Sequence, residues 1–164
     1  MDVTIRDATQ TDMPELLELN AQIQRQHGEE FPKDFVSQPD AMGLRSFFTR
    51  LIKDDKQILY IAEAKGQAAG YLWCEIQRFD ASLFRPARAQ LYIQHVCVDQ
   101  NQRRLGIASA LFQAVDDHAK SLGIAKVGLD TWSGNEAAQS FFDRQGFEIQ
   151  QIRYAKKIER TTTP

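Results

Sequence analysis

Hydrophobic and polar positions follow two different periods along the chain, and the change of period marks the predicted elements. Residues 3–6 alternate as a short strand, whereas the apolar residues after Thr11 recur at the three- and four-residue spacing of a helix. A second helical stripe follows Asp40, a residue type that caps helix N-termini. The first third of the chain is therefore predicted to form one strand and then two helices.

The middle of the chain is predicted to form three strands and the clearest helix. The runs ILYIAEA and AAGYLWCEIQ flank the turn-prone residues 65–67, which indicates an antiparallel hairpin. Residues 90–98 form a third β-branched run. A continuous amphipathic stripe then starts at Leu105 and stops at Gly123, a residue suited to the left-handed turn that ends helices.

The last part of the chain alternates again between strand and helix. Residues 127–132 predict a strand, and Ser133–Glu136 has the spacing of a capping box in front of a helix that Gly146 ends. Residues 147–158 are predicted to return to strand. The predicted order is β-α-α-β-β-β-α-β-α-β, which is an α/β (α+β) arrangement.

Composition and charge narrow the class of protein. With 164 residues, 43% hydrophobic and 26% charged, the chain is predicted to form a single domain over residues 1–159 with a polar tail at 160–164. A net charge of −2 argues against nucleic acid as a partner. Cys74 and Cys97 lie in apolar runs and are predicted to be buried thiols, which suits a cytoplasmic location. We expect no membrane partner, because no stretch is apolar over about 18 residues.

The segment from Val96 to Ser109 carries the most chemical information. A strand runs through a polar turn with Arg103 and Arg104 directly into the first turn of the clearest helix. Such a turn offers unpaired N–H groups and the positive end of the helix dipole to a phosphate. Gly106 is small enough to let a pyrophosphate approach the backbone. The glycine patterns of nucleoside triphosphate and dinucleotide sites are both absent.

Arg103 to Ala108 resembles the [Q/R]-x-x-G-x-[G/A] pyrophosphate motif of the GNAT family, the Gcn-type N-acetyltransferases. Asn135 to Phe147 is similar to a second signature of that family, N-x-x-A-x-x-[LF]-[YF]-x-x-x-G-F. The resemblance implies a central mixed, mostly antiparallel sheet of six to seven strands with about four helices. It also implies a splay between the strand ending at Val98 and the strand holding Asp130.

The same resemblance implies an enzyme that transfers the acetyl group of acetyl-CoA directly to an amine, without a metal. The implied coenzyme-binding residues are Val96, Cys97, Val98, Arg103, Arg104, Gly106, Ile107, Ala108, Ser109, Asn135 and Phe142. Homodimers are frequent in the family, so the resemblance also suggests a homodimer, with a second copy of the chain as the partner.

Three chemical roles follow from direct transfer. The Val98 N–H is the candidate to stabilise the charge on the thioester oxygen. Asp130 falls where several members of the family that the chain resembles place an acidic base, so it is the first candidate for the general base and Glu75 the second. His95 is an alternative, although a hydrogen-bonded core histidine is the commoner outcome for such a residue. Phe142 stands where many relatives have tyrosine, so water, Tyr154 or unassisted departure of the thiolate must serve instead of a tyrosine acid.

The acceptor stays open at this level. The resemblance to the family implies that the connections Gln26–Gln38 and Arg78–Ala89 determine acceptor specificity. The first is acidic and aromatic, and the second carries arginines. Both a small molecule and a peptide or protein amine fit these features. A non-catalytic acyl-CoA-binding module is the main alternative function.

Overall fold

A five-stranded mixed sheet forms the centre of the computed structural model, which describes residues 2–158. The strands follow chain order across the sheet, and neighbours run antiparallel except in the last pair, which is parallel. They are β1 Val3–Asp7, β2 Gln57–Ala64, β3 Gln67–Phe79, β4 Arg88–Val98 and β5 Val127–Leu129. The predicted α/β class with a mostly antiparallel sheet is confirmed.

The described residues form four α-helices, in agreement with the predicted number. They are α1 Met13–Glu30, α2 Ala41–Lys53, α3 Ile107–Ser121 and α4 Glu136–Arg144, and two short 3₁₀ helices cover Gln10–Asp12 and Gln100–Gln102. The chain divides into two compact units, Met1–Asp130 with the sheet and α1 to α3, and Thr131–Pro164 with α4. Within the described residues, none of the helices combines the length and apolarity that crossing a membrane requires.

A hydrophobic core lies between the sheet and the first two helices. It joins Leu16 and Leu19 of α1 and Phe48 of α2 to Ile61 and Tyr71 of the sheet, all of them buried. The Phe48 and Tyr71 rings meet edge to face at 5.7 Å. Burying a side chain of this size contributes about 2 kcal/mol, so this contact explains why the amphipathic stripes of α1 and α2 dock here.

Helix α3 packs on the opposite face of the sheet. Successive strand residues point to opposite faces, so Gly70 faces away from the side that Tyr71 occupies. A Cβ built on Gly70 would lie 3.4 Å from Ile107 Cγ2 and 2.5 Å from the Cys97 carbonyl oxygen. Only glycine therefore lets β3, β4 and the start of α3 approach this closely.

The predicted number of six to seven strands is wrong, because residues 147–158 form no strand. The apolar side chains of that segment do not alternate between a buried and a solvated face: Ile149, Ile152 and Tyr154 are 80%, 66% and 89% exposed. A strand needs a hydrogen-bonded neighbour as well as β-forming residues, and the described part of the chain offers none here. The tail 160–164 lies outside the described residues.

Several boundaries also differ from the predictions. α1 continues to Glu30, beyond the point where the apolar pattern lapses. β5 stops at Leu129, so Asp130 follows the strand instead of lying in it. α3 begins at Ile107, because Gly106 adopts a left-handed conformation with φ of 80° and serves as the N-cap. Helix α4 has its N-cap at Asn135 and not at Ser133.

Candidate active site

A gap between β4 and β5 opens halfway along β4. The parallel ladder starts where Leu91 faces Val127 and ends where Ile93 faces Leu129, whereas β4 continues to Val98. Among residues 2–158, no strand pairs with this last part of β4 on the β5 side. The predicted splay is therefore present, and it begins after Ile93.

A β-bulge lies where the gap opens. β3 and β4 pair Trp73 with His95 but Cys74 with Ile93, so Gln94 is an extra residue on β4. An extra residue reverses the alternation of the strand, so the backbone groups beyond the bulge face differently from those before it. No pattern in the sequence indicated this bulge.

The bulge turns two backbone N–H groups into the gap. The Asp99 N–H donates to the Ala69 carbonyl oxygen at 2.9 Å, which is toward β3. Because backbone groups alternate along an antiparallel pair, the N–H groups of Val96 and Val98 point away from β3. The gap therefore presents donors and acceptors at the spacing that an extended polar chain would need.

The turn after β4 concentrates further N–H groups. Asp99 Oδ1 accepts the Asn101 N–H at 2.7 Å and opens the short 3₁₀ helix, and then Arg104 and Gly106 adopt left-handed conformations with φ of 64° and 80°. Turns of this kind bring N–H groups to one side, and the first turn of α3 adds the positive end of its dipole. A Cβ built on Gly106 meets no atom within 4 Å, so the space beside it is open. The turn is suited to a phosphate group.

The predicted coenzyme residues of the first unit come together at this turn, with one difference in role. Arg103, Arg104 and Ser109 are exposed and Ala108 is half-buried. Ile107 is 1% exposed and its side chain belongs to the core, so it can offer a ligand only its backbone. The site is thus formed mainly by main-chain groups.

A polar cluster lies on the α1 and α2 face of β3 and β4. Gln77 Nε2 and Gln94 Nε2 each lie 3.0 Å from Glu75 Oε2, and Gln90 Nε2 lies 2.8 Å from Gln77 Oε1. A carboxylate only accepts hydrogen bonds, so it determines the orientation of both neighbouring amides, and the Gln77 oxygen is then left for Gln90. Glu75 is half-buried and held at one oxygen.

Asp130 is positioned by a tyrosine that the sequence analysis did not single out. Tyr92 lies directly opposite Glu75 in the β3–β4 ladder, and its hydroxyl donates to Asp130 Oδ2 at 2.8 Å. A Cβ built on Gly128 would lie 3.2 Å from Tyr92 Cδ2, so this glycine makes room for the ring to cross β5. The signal was present as Tyr92 and Gly128, but their pairing depends on the register of β4 and β5.

Among the described residues, no cation forms an ion pair with either carboxylate of this face. Within the described residues, the ion pairs join Arg6 to Asp12 and Glu63 and Lys120 to Asp117, so Glu75 and Asp130 have none. The two groups lie on either side of Tyr92. Together the two carboxylates give the face beside the gap negative charge.

His95 is a half-buried, hydrogen-bonded histidine next to the bulge. Its Nδ1 lies 2.6 Å from the Tyr71 hydroxyl, and Asn20 Nδ2 donates to the same hydroxyl at 2.9 Å. The Tyr71 proton is therefore directed to His95 Nδ1, which places the proton of the neutral ring on Nε2. Burial, with a smaller effect of His27, lowers the pKa of His95 to about 4. This histidine is neutral at physiological pH.

The two predicted specificity loops differ in their packing. In the first, the His27 ring contacts the Phe35 ring at 4.7 Å and lies 6.1 Å from the His95 ring, so this connection reaches the bulge. In the second, the Arg88 guanidinium stacks over the Phe79 ring at 4.3 Å. The positive charge of Arg88 thus sits against an aromatic face.

Both cysteines are buried free thiols, as predicted. The Cys97 Sγ donates to the Leu19 carbonyl oxygen at 3.2 Å. Burial raises the pKa of Cys97 and of Cys74 to about 12. A thiol with so little thiolate is a poor nucleophile, which argues against a covalent acyl-cysteine route.

The remaining two predicted site residues lie in the second unit. Asn135 caps α4 through a hydrogen bond from the Ala138 N–H to its Oδ1 at 3.1 Å. The Phe142 ring lies between those of Phe141 and Phe147, with centroid distances of 5.8 Å and 6.0 Å. Both residues thus have local structural roles within this unit.

Across residues 2–158, no three His, Cys, Asp or Glu side chains are grouped so that they could hold a metal ion.

Comparisons with known proteins identify relatives of this chain. An uncharacterized N-acetyltransferase of Methanocaldococcus jannaschii, MJ1207, is 27% identical over 149 residues, which are 91% of this chain and 62% of that protein. The chain thus spans less than two thirds of that relative's length.

Two solved structures share the fold. A tetramutant of the BH1408 protein from Bacillus halodurans matches with a TM-score of 0.88 at 23% identity, over 94% of this chain and 99% of that one. AAC(6')-Iy in complex with the bisubstrate analog CoA-S-monomethyl-acetylneamine matches with a TM-score of 0.73 at 23% identity, over 96% and 100%. The model of the Acetyltransferase (GNAT) family matches residues 19–147. Since that match includes β4, the turn, α3 and both signatures, the chain belongs to the GNAT family of acetyltransferases.

Proposed function

We propose that the protein is an N-acetyltransferase that moves the acetyl group of acetyl-CoA to a cationic amine. The observation that carries this proposal is the gap beyond Ile93, where the N–H groups of Val96 and Val98 point toward β5 and meet no strand. Family membership and the CoA analog in the related AAC(6')-Iy structure support the choice of cosubstrate.

In the proposed complex, the pantetheine arm lies in the gap and pairs with the backbone from Val96 to Val98 as a further strand would. The Cys97 side chain is buried on the α1 face, so this residue contributes through its backbone. The Val98 N–H donates to the thioester carbonyl oxygen as negative charge develops there. Bound acetyl-CoA supplies the activated acyl group.

The pyrophosphate is proposed to bind the turn between β4 and α3. The backbone N–H groups of Arg104 and Gly106 to Ser109 would donate to it, and the Arg103 and Arg104 side chains would add positive charge. The open space at Gly106 supports this fit. Asn135 and Phe142 stay predicted coenzyme-binding residues.

Asp130 is our proposed general base. Tyr92 holds Oδ2 and leaves Oδ1 for the amine or for a bridging water. As the amine proton passes to Asp130, the nitrogen forms a bond to the acetyl carbon, the carbon–sulfur bond breaks, and sulfur takes the electron pair. His95 is less suited to this role, because its Nδ1 is occupied by Tyr71 and its Nε2 carries the proton.

Water is our proposed acid for the leaving thiolate. Phe142 cannot donate a proton, and Tyr154 is 89% exposed in a segment without regular structure. A thiol of ordinary acidity has a pKa of about 8.5, so its anion can depart and be protonated by solvent.

The acceptor is proposed to carry at least one positive charge besides the reacting amine. Glu75 and Asp130 lie on the same face beside the gap, and no cation of the described residues pairs with either. A second ammonium group could contact Glu75 while the first, once deprotonated by Asp130, attacks the thioester.

The domain boundaries 1–159, the homodimer and the cytoplasmic location stay predictions.

Thiol release from acetyl-CoA tests this function. The panel compares matched monoamines and diamines, amino acids and peptides with free N-termini, and product mass identifies the acetylated nitrogen. We expect turnover with diamines or polyamines above that with monoamines of equal length. Acetyl-CoA binding without turnover of any amine would favour the non-catalytic module, and absence of binding would refute the proposal.

A further inference from the structure

A row of polar residues on α1 faces the turn between β4 and α3. Gln22, Gln26 and Glu30 are spaced four residues apart, so they lie on one side of the helix. The first two contact the turn, and the third contacts Gln26 at 3.0 Å. Gln22 and Gln26, the glutamine row of α1, are far in sequence from their partners, which lie within residues 99–103. No motif of the sequence indicates these contacts.

Gln22 holds the turn with both ends of its amide. Its Nε2 donates to Asp99 Oδ2 at 3.2 Å, and its Oε1 accepts the Gln100 N–H at 3.1 Å. A carboxylate can only accept and a backbone N–H can only donate, so the amide has one orientation. Gln22 therefore secures the two residues that directly follow Val98.

Gln26 holds the side chain of Arg103. The guanidinium Nη2 donates to Gln26 Oε1 at 3.0 Å, and Gln26 Nε2 donates to Glu30 Oε1 at 3.0 Å. Again the donor on one side and the carboxylate on the other determine the amide orientation. The arginine is thereby kept at the rim of the turn, one residue before Arg104.

We propose that Gln22 and Gln26 are positioning residues for the acetyl-CoA site, with Gln22 setting the backbone of the turn and Gln26 the direction of Arg103. The inference rests on the proposed function, because it assigns these residues to the coenzyme site of that function. Their side chains contact the turn through Asp99, Gln100 and Arg103. Their loss should therefore weaken coenzyme binding by disordering the turn, while the groups that contact the acceptor keep their places.

The test measures CoA binding by calorimetry and the kinetic constants of wild type, Gln22→Ala and Gln26→Ala. Gln22→Ala removes the two hydrogen bonds that hold the turn, so we expect Kd for CoA and KM for acetyl-CoA to rise about tenfold. kcat at saturating acetyl-CoA should change less than about twofold. Gln26→Ala should raise the same constants about threefold.

Gln113→Ala is the matched control. Gln113 is an exposed glutamine of α3, and its Nε2 donates to Asp117 Oδ1 at 3.0 Å. This variant also loses a glutamine side chain and a surface hydrogen bond, but it lies away from the turn. It should bind CoA as wild type does.

A swapped pair separates positioning from a general loss of stability. Gln22→Glu places a carboxylate against Asp99 and should weaken CoA binding more than Gln22→Ala does. Adding Asp99→Asn returns a donor to this contact and keeps the acceptor for the Asn101 N–H, so the double variant should recover most of the affinity. Thermal unfolding of each variant shows whether recovery follows the melting temperature.

The outcomes are distinguishable. If wild type fails to bind CoA, the proposed function fails. If wild type binds CoA and Gln22→Ala binds it equally well, the function stands and the positioning role is refuted. Affinity losses that follow the melting temperature and are not recovered in the swapped pair would also refute it.

Discussion

The two sides of the gap beyond Ile93 are built from different parts of the chain. The proposed coenzyme side uses backbone N–H groups of Val96, Val98 and the turn at Gly106, while the proposed acceptor side uses the carboxylates of Glu75 and Asp130. A backbone site depends on small residues and on conformation, so it is sensitive to bulk. A carboxylate site is sensitive to charge. Variants that change bulk or charge alone should therefore separate the two sides.

The largest effect is expected on the backbone side. Gly106→Trp fills the open space beside the turn and should abolish CoA binding, with a loss of more than about 100-fold in affinity. Gly66→Trp is the matched control, because Gly66 has a similar φ of 74° and also meets no atom within 4 Å, but it lies in the β2–β3 turn. Calorimetry with CoA measures both. Equal losses in the two variants would assign the effect to backbone strain and not to the site.

The next largest effect is expected from the proposed base. Asp130→Asn keeps an oxygen for the Tyr92 hydroxyl but removes the proton acceptor, so kcat should fall about 100-fold with little change in KM for acetyl-CoA. Tyr92→Phe should lower kcat less, because the carboxylate remains. Asp116→Asn, on an exposed position of α3, is the control. Full activity of Asp130→Asn would exclude this residue as the base.

A smaller effect is expected at Glu75. Glu75→Gln retains the shape and one oxygen for the neighbouring amides but removes the charge, so KM for a diamine should rise about tenfold. KM for a monoamine of equal length should change less than about twofold. Steady-state kinetics with both acceptors measure the difference. Equal changes for the two amines would mean that Glu75 does not contact a second cation.

His95 should give a pH-dependent effect on stability. Its pKa is about 4 in the folded protein and 6.5 in the unfolded chain, so the unfolded state binds more protons between these values. The free energy of unfolding should therefore be fully retained above about pH 6.5 and fall as the pH drops toward 4. His95→Gln should flatten this slope in urea titrations, and His27, whose pKa burial also lowers, should account for the rest.

Asp12 provides an internal reference for that titration. Hydrogen bonds from Arg6 lower the pKa of Asp12 from 3.8 to about 2, so its stabilisation is lost in the separate window between these values. His95→Gln should leave this acid limb unchanged. A slope between pH 6.5 and 4 that is identical in wild type and His95→Gln would contradict the assigned environment of His95.

The smallest effect is expected at the thiols. Because burial raises the pKa of Cys74 and Cys97 to about 12, iodoacetamide should modify neither in the native protein at pH 8. Both should react after unfolding in urea, as mass spectrometry will show. Rapid native-state labelling of Cys97 with loss of activity would reopen a covalent route.

Local patterns in the sequence determined much of the fold and half of the candidate site. Asp40 and Asn135 cap their helices because a side-chain acceptor needs only the next turn of backbone. The turn from Arg103 to Ala108 was equally visible, since its glycine and its helix start lie within a few residues of each other. These features rest on interactions over short sequence distances, and the family signatures record them.

Only the tertiary structure decided the features that need distant strands and helices to meet. The bulge at Gln94, the contact of Tyr92 with Asp130 and the glutamine row of α1 all depend on register and on packing across many residues. In segment 147–158 the sequence pattern predicted an element that does not form. Its residues favour a strand, but a strand forms only where a partner provides hydrogen bonds. Sequence patterns report what a segment can form, and its neighbours in space determine what it does form.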